Sequence, residues 1–235
     1  MIANSLLGAL ALAGTALAFP IENPISVMKR APEAGIVITK CAKPGVIALA
    51  YDDGPYTYTS ELIDILDEGG AKATFFWTGT LYGCIYGQAE AVKKAYASGH
   101  QIASHTWTHP QSFGNMNAQQ LTSEMQQVEE ALANLVLPTM RQLGYKVITD
   151  DVDSQDWNGW SAQQSQNAFS QAGSAETAIS PHARDLRQHR PATHPWLINW
   201  AKQNNLEMVT VAECLDDPDG MYQPGNFTST GKNSC

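Results

Sequence analysis

Positive charge is scarce in this chain. Its 235 residues include 14 lysines and arginines against 23 aspartates and glutamates, which gives a formal net charge of −9 at pH 7. Proteins that bind nucleic acids or anionic membranes do so largely through lysine and arginine. The balance therefore argues against both kinds of partner and favours a neutral or cationic ligand.

Long apolar runs are also lacking, so the sequence predicts no transmembrane segment. The most apolar stretch, residues 1–18, is too short to cross a bilayer and ends in small residues, a pattern typical of a secretory signal peptide. The pair Lys29-Arg30 indicates a processing site, which makes residues 19–30 a propeptide. We therefore expect a secreted, extracellular protein, and the cell wall is one such location.

The chain has only four cysteines, too few to replace a hydrophobic core in a protein of this length. Export allows them to form disulfides, and the sequence alone leaves three pairings open. A bridge between Cys41 and Cys214 would join the ends of the predicted domain, because Cys41 precedes the first core strand and Cys214 follows the last.

No internal repeat is present; instead, short apolar runs alternate with segments of helical periodicity. Strands are predicted over 46–51, 73–77, 101–104, 146–149 and 207–211, and helices over 59–68, 89–97, 121–135, 137–141 and 195–203. This alternation is typical of an α/β fold with a mostly parallel sheet, either a barrel or a doubly wound sheet.

Two of the predicted strands end in side chains suited to binding a metal. Asp52 and Asp53 close the first core strand, and His105 and His109 follow the strand over 101–104. In folds of this kind, such loops gather at the carboxyl end of the sheet. One carboxylate and two imidazoles leave coordination positions open, as in catalytic metal sites. The alternative is that the histidines are ordinary core or surface residues.

A bound cation would also explain why two acids stand side by side. One aspartate can bind the ion, which offsets the repulsion, while its neighbour takes a proton from a water molecule whose pKa the metal lowers. Pro110 disfavours a helical His109, so we expect a loop or one irregular turn there. The sequence thus predicts a catalytic metal centre.

Four short motifs lie at or near predicted strand ends. They are YDDGP at 51–55, SHTWTH at 104–109, VDSQDW at 152–157 and VTVAECL at 209–215. In combination they resemble the NodB-type polysaccharide deacetylases, most closely the secreted fungal chitin deacetylases. The resemblance covers roughly residues 41–217 and leaves 218–235 as a C-terminal tail. It implies a distorted (β/α) barrel and metal-dependent removal of acetyl groups from a glycan.

The resemblance also implies roles for individual residues. Asp52 would be the general base, and Asp53, His105 and His109 would bind one divalent ion, usually zinc, with cobalt also accepted. Cys41 and Cys214 would form the bridged pair.

Asp156 and Trp157 match the family's fourth motif, in which an acid tunes a catalytic histidine and a tryptophan helps to wall the pocket. The alternative for this pair is an acid on a surface loop beside a core aromatic ring.

Two family features are missing from the sequence. The family's Arg-x-Pro-Tyr loop and its strand have no counterpart at 136–137, so the barrel is expected to be one strand short, and Arg141 does not inherit the arginine's role. The fifth motif, which carries a histidine, is disrupted over 178–194, a basic stretch interrupted by prolines.

One hypothesis attributes both departures to the gene sequence. Codons for 178–194 read one nucleotide later can encode the family's fifth motif, and the gap at 136–137 is consistent with a mis-spliced exon. If the sequence is real as written, His182 becomes a displaced substitute for the missing histidine, whereas His189 and His194 are expected to be solvated.

The function predicted is that of a monomeric hydrolase removing N-acetyl groups from chitin or a related N-acetylglucosamine polysaccharide. One alternative is a catalytically impaired protein of the same fold that binds glycan through Trp107, Trp157 and Trp160. A glycosidase using Asp52 and Asp53 is less favoured. Its two carboxylates must flank the scissile bond about 5–9 Å apart, a separation that neighbouring residues at one strand end reach with difficulty. An iron oxygenase with two histidines and one carboxylate is also disfavoured. Such enzymes usually place one histidine close to the acid and the second far downstream, whereas here the acid comes first and both histidines follow together.

Overall fold

The computed structural model describes residues 37–135, 147–149, 151–172, 178–180, 186–218, 220–222 and 230–235. Within this part, the strands are β1 Val37–Ile38, β2 Val46–Asp52, β3 Thr74–Trp77, β4 Gln101–Ser104, β5 Val147–Ile148, β6 Val152–Asp153, β7 Ala178–Ser180 and β8 Glu207–Val209. The α-helices are α1 Thr59–Glu68, α2 Ala89–Ala97, α3 Ala118–Leu135, α4 Ala162–Ala172, α5 Leu186–Gln203 and α6 Val211–Cys214.

Strand β2 is the centre of the sheet. It pairs in parallel with β3, β7 and β8, while β4 extends the sheet beyond β3 and β6 extends it beyond β7. Strands β1 and β5 form a separate parallel pair. Parallel pairing with intervening helices confirms the α/β fold predicted from the sequence.

The core lies around β2 because both faces of that strand are covered. Residues 46–51 are all buried, as expected for a near-continuous apolar run in a parallel sheet. The ring of Tyr51 lies 5.5 Å from that of Phe75, which lies 5.1 Å from the ring of Trp77. These aromatic rings form a packed base beneath the carboxyl ends of β2 and β3.

Several predicted elements have the bounds expected from the sequence, and others differ for identifiable reasons. Helices α1 and α2 and strand β4 match the prediction. Helix α3 begins earlier than predicted because Asn117 and Gln120 cap it reciprocally: each side chain accepts a hydrogen bond from the other's backbone N–H, both at 2.9 Å.

The last strand is shorter than predicted. It ends at Val209 because Thr210 and Glu213 form a capping box that starts helix α6. Helix α5 begins at Leu186 rather than at the predicted residue 195. Elements β6, α4 and β7 were not predicted, because none of them carries a clear periodic pattern.

Both disulfides join distant parts of the chain. Cys41 is bonded to Cys214, as the family resemblance implied, and Cys84 is bonded to Cys235. The first bridge is reinforced by the backbone N–H groups of Ala42 and Lys43, which donate to the carbonyl of Cys214 at 2.9 and 3.0 Å.

Some predictions concern other parts of the chain. The signal peptide, the propeptide, the missing strand at 136–137, the helix over 137–141 and the substitute histidine His182 lie outside the described residues. Among the residues that are described, no helix combines the length and the apolar character needed to cross a membrane.

His100 is a fully buried histidine at the start of β4. Its Nδ1 accepts a hydrogen bond from the backbone N–H of Ala73 at 3.2 Å, and its ring edge contacts Phe75. Its Nε2 lies 3.4 Å from Oδ1 of Asp67. Burial outweighs this carboxylate and lowers the pKa of His100 to about 4, so the folded protein keeps the ring neutral.

We expect His100 to make the protein less stable in acid. Between pH 6.5 and about 4 the unfolded chain protonates this histidine and the folded chain does not, so the free energy of unfolding falls as the pH falls. The loss between pH 7 and 4.5 amounts to about 2 kcal/mol. Urea unfolding of the wild type and His100→Asn at both pH values measures it. Identical pH dependence in the two proteins would refute the assignment.

Candidate metal centre

The loop after β2 places two carboxylates at the carboxyl end of the sheet. Strand β2 ends with Asp52, and Asp53 adopts a left-handed backbone conformation with φ 70°, which aspartate tolerates better than most residues. The Thr78 hydroxyl donates to the carbonyl of Asp53 at 3.0 Å, and its N–H donates to the carbonyl of Gly54 at 2.8 Å. The loop is therefore fixed to the end of β3.

The loop after β4 supplies the two imidazoles. The N–H of His105 donates to the carbonyl of Trp77 at 2.8 Å, which continues the β3–β4 pairing by one residue. Thr106 and His109 both have positive φ, and the N–H of His109 donates to the Thr106 hydroxyl at 3.1 Å. The loop or irregular turn predicted from Pro110 is confirmed, since residues 105–110 form neither helix nor strand.

Helix α3 anchors the same loop through Glu124. This buried carboxylate accepts hydrogen bonds from the N–H of Thr108 at 2.7 Å and from its hydroxyl at 3.0 Å. Glu124 was not among the residues predicted from the sequence, although it stands on the apolar stripe of α3, one turn before Val128. An acidic residue within an apolar stripe is the sequence signal that could have identified Glu124 as a functional residue.

The two loops bring Asp53, His105 and His109 together. Oδ1 of Asp53 lies 3.5 Å from Nε2 of His105 and 3.3 Å from Nε2 of His109. One ligand atom from each residue lies within 4.8 Å of the others. The Asp53 side chain is 8% exposed and the two histidines are 32% and 34% exposed, so the cluster opens to solvent on the imidazole side.

The chemistry of this cluster fits a divalent cation. Oδ1 of Asp53 is buried and has no hydrogen-bond partner among the described residues. A buried carboxylate oxygen without a partner is costly, and an ion bound between it and the imidazoles would satisfy it. One oxygen and two nitrogen donors suit zinc and similar ions and leave positions open for water or substrate.

Asp52 stands beside this cluster at the same strand end. It is partly exposed and lies in register with Phe76 of β3. The two neighbouring acids therefore occupy different environments, since Asp53 is buried against the histidines and Asp52 retains access to solvent.

Asp156 is a buried acid near Tyr51, the residue that precedes Asp52. Its Oδ1 accepts hydrogen bonds from the Ser154 hydroxyl at 2.7 Å and from the N–H of Trp157 at 3.1 Å. Burial, and after it the charge of Asp156, raises the pKa of Tyr51. The Tyr51 hydroxyl lies 3.5 Å from Nδ1 of His194 on α5. His194 is buried, so the expectation that it is solvated was wrong.

Trp107 and Trp157, two of the tryptophans that the sequence offers for glycan binding, differ in exposure. Trp157 is 44% exposed, and its indole N–H donates to Oδ2 of Asp153 at 3.1 Å. The alternative of a surface acid beside a core aromatic is therefore wrong in both parts, because Asp156 is buried and Trp157 is exposed. Trp107 is buried, which removes it from any exposed glycan-binding surface.

The chain is similar in sequence to several named deacetylases. Residues 39–147 match the polysaccharide deacetylase family. A chitin deacetylase of Pestalotiopsis sp is 35% identical over 88% of this chain and 74% of its own length. A chitin deacetylase of Colletotrichum lindemuthianum is 30% identical over 91% of this chain and 94% of its own. A probable peptidoglycan-N-acetylglucosamine deacetylase of Arthroderma benhamiae is 34% identical, and the match covers 78% of this chain and 47% of the relative.

Solved structures agree on the fold. The chitin deacetylase of Colletotrichum lindemuthianum superposes with a TM-score of 0.71 at 28% identity, over 82% of this chain and 97% of that one. The Bc1960 peptidoglycan N-acetylglucosamine deacetylase, at 23% identity, gives a TM-score of 0.69 over 78% of this chain and 94% of its own. The fold is the distorted (β/α) barrel type predicted from the sequence.

Proposed function

The chain belongs to the polysaccharide deacetylase family, and on that premise we propose that it is a metal-dependent hydrolase removing N-acetyl groups from chitin or a related N-acetylglucosamine polysaccharide. The observation that carries the proposal is the convergence of a buried Asp53 oxygen, which has no hydrogen-bond partner in the described part of the chain, with Nε2 of His105 and of His109. Relatives named for chitin and for peptidoglycan deacetylation support the substrate class.

Asp53, His105 and His109 would hold the ion, which we expect to be zinc and replaceable by cobalt. A divalent ion bound there supplies a Lewis acid, which lowers the pKa of water and stabilises negative charge on the acetyl oxygen in the transition state. The buried carboxylate fixes one side of the site, and the partly exposed imidazoles leave the other side open to the glycan.

Asp52 is the proposed general base. It shares a strand end with the metal ligands but retains access to solvent, so it can accept the proton of the attacking water while Asp53 binds the ion. The division of labour follows from burial, because the buried acid binds the ion and the accessible acid exchanges protons.

Asp156 and Trp157 are proposed to shape the site from a second side. Asp156 places a buried negative charge near Tyr51, directly before the base, and would tune the polar groups around it. Trp157 presents an exposed ring, oriented by its bond to Asp153, that would line the glycan cleft.

Secretion is part of the same proposal. Disulfides persist in oxidising compartments, and the two bridges of this chain support an extracellular location. We propose that residues 1–18 direct export, that 19–30 are removed, and that 41–217 form the catalytic domain, acting as a monomer with 218–235 as its tail.

The proposal is tested by measuring acetate release from a soluble chitin oligomer. We expect acetate to appear without chain shortening, to stop when a chelator removes the metal, and to resume when zinc is added back. Peptidoglycan fragments assayed in parallel distinguish the two glycan classes.

Two results would contradict the proposal. Shorter chains without acetate would indicate a glycosidase. Binding of the oligomer with no acetate at any zinc concentration would indicate a protein that recognises the glycan without hydrolysing it.

A further inference from the structure

Residues 230–235, here called the strap, are covalently attached beside the metal centre. Cys235 is bonded to Cys84, in the loop that follows β3. The N–H of Cys235 donates to the sulfur of Cys84 at 3.1 Å, and the Cys235 sulfur lies 3.8 Å from the carbonyl of Gly79. One end of the strap is therefore fixed to the loop between β3 and α2.

The other end of the strap is fixed to helix α3. The Thr230 hydroxyl donates to a carboxylate oxygen of Glu130 at 2.7 Å. The N–H of Gly231 donates to the side-chain oxygen of Asn134 at 3.3 Å, and the Asn134 amide donates back to Thr230 at 3.2 Å. Both ends of the strap are therefore held by elements that flank the loop after β4, residues 105–109, here called the histidine loop.

Between its two attachments, the strap contacts the histidine loop itself. The ammonium of Lys232 lies 5.3 Å from the ring centroid of Trp107, the residue midway between the two histidines. The same ring packs so tightly on Gly79 that a Cβ there would lie 2.0 Å from it. The Trp107 carbonyl also accepts a hydrogen bond from the N–H of Gly79 at 2.9 Å. Trp107 is thus held between Gly79 and Lys232.

We propose that the strap positions His105 and His109 for metal binding by clamping Trp107; the inference rests on the proposed metal centre. The histidine loop has a left-handed backbone conformation at Thr106 and His109. The loop is therefore not held in place by regular secondary structure of its own. A metal site needs its ligands held to within about 0.5 Å. Glu124 restrains the loop from helix α3, and the strap restrains it from the side of Trp107.

The expected consequence is a loss of metal affinity when the strap is released. The double variant Cys84→Ser/Cys235→Ser should bind zinc roughly tenfold more weakly, the low end of the effect of losing an outer-shell contact. Lys232→Met should weaken binding about two- to fivefold, the contribution of an exposed cation–π contact. Lys232→Arg keeps a cation over the ring and should retain the affinity of the wild type.

Zinc affinity is measured by competition with a chromophoric chelator, and cobalt absorption spectra report the geometry of the ligands. Lys93→Met on helix α2 is the matched control, since Lys93 is an exposed lysine paired with Glu90. The strap variants should shift the cobalt spectrum and the control should not. A merely structural role would lower the melting temperature without changing the spectrum.

The outcomes separate this proposal from the proposed function. A wild type that binds no zinc refutes the metal centre, and the strap's role fails with it. A wild type that binds zinc, with all strap variants equal to it in affinity and spectrum, refutes the strap alone. If the double cysteine variant does not fold, the contrast between Lys232→Met and Lys232→Arg decides the question.

Discussion

Asp53→Asn is expected to lose zinc binding and, with it, acetate release. The substitution removes the anionic ligand, and zinc affinity should fall by more than about 100-fold, because losing only an outer-shell partner already costs about 10–100-fold. Asparagine tolerates the left-handed backbone found at this position, φ 70°, so the change tests the ligand and not the fold.

Thermal unfolding with and without zinc measures this directly. At a zinc concentration about a thousand times the dissociation constant, the wild type should gain about 4 kcal/mol of stability. The Asp53→Asn variant, with its affinity at least about 100-fold lower, should gain at most about 1.4 kcal/mol. Asp64→Asn on helix α1, an exposed acid paired with Lys94, serves as the control and should respond like the wild type. Undiminished zinc stabilisation in Asp53→Asn would remove this residue from the site.

Asp52→Asn is expected to separate catalysis from metal binding. The amide cannot accept the proton of the attacking water, so kcat should fall by about 10²–10⁴. Zinc binding should be unchanged, because Asp53, His105 and His109 are intact.

Steady-state acetate release and zinc-induced stabilisation, measured on the same preparation, separate the two roles. Loss of zinc binding in Asp52→Asn would make this residue a ligand, and unchanged turnover would exclude it as the base. Either result would require a different division of labour between the neighbouring acids.

The parts of the fold predicted from sequence are those with strong local patterns. Strand β2 is an uninterrupted apolar run, and helices α1 and α2 carry clear apolar stripes closed by glycines or small residues. Strands β6 and β7 have two and three residues, too few to show a period. Helix α4 escaped prediction because its sequence is mostly glutamine, serine and asparagine, with Phe169 as its one large apolar side chain.

The candidate site likewise has a part that the sequence predicts and a part that it does not. The acid pair and the histidine spacing are local patterns, so the residue types and their positions are enough to indicate a metal. Asp156 and His194 are buried near Tyr51, which is far away from both in the sequence, and no local pattern encodes such proximity. The strap is likewise invisible in the sequence, because Cys84 and Cys235 are 151 residues apart and three cysteine pairings were open.

The central claim is that one cation is bound jointly by Asp53, His105 and His109. X-ray absorption spectroscopy of the zinc-loaded protein tests it most directly, since it identifies the atoms around the metal. We predict two imidazole nitrogens and at least one oxygen, all at about 2.0–2.2 Å, with no sulfur. A shell with sulfur, a shell of oxygen alone, or a purified protein that retains no zinc would contradict the account.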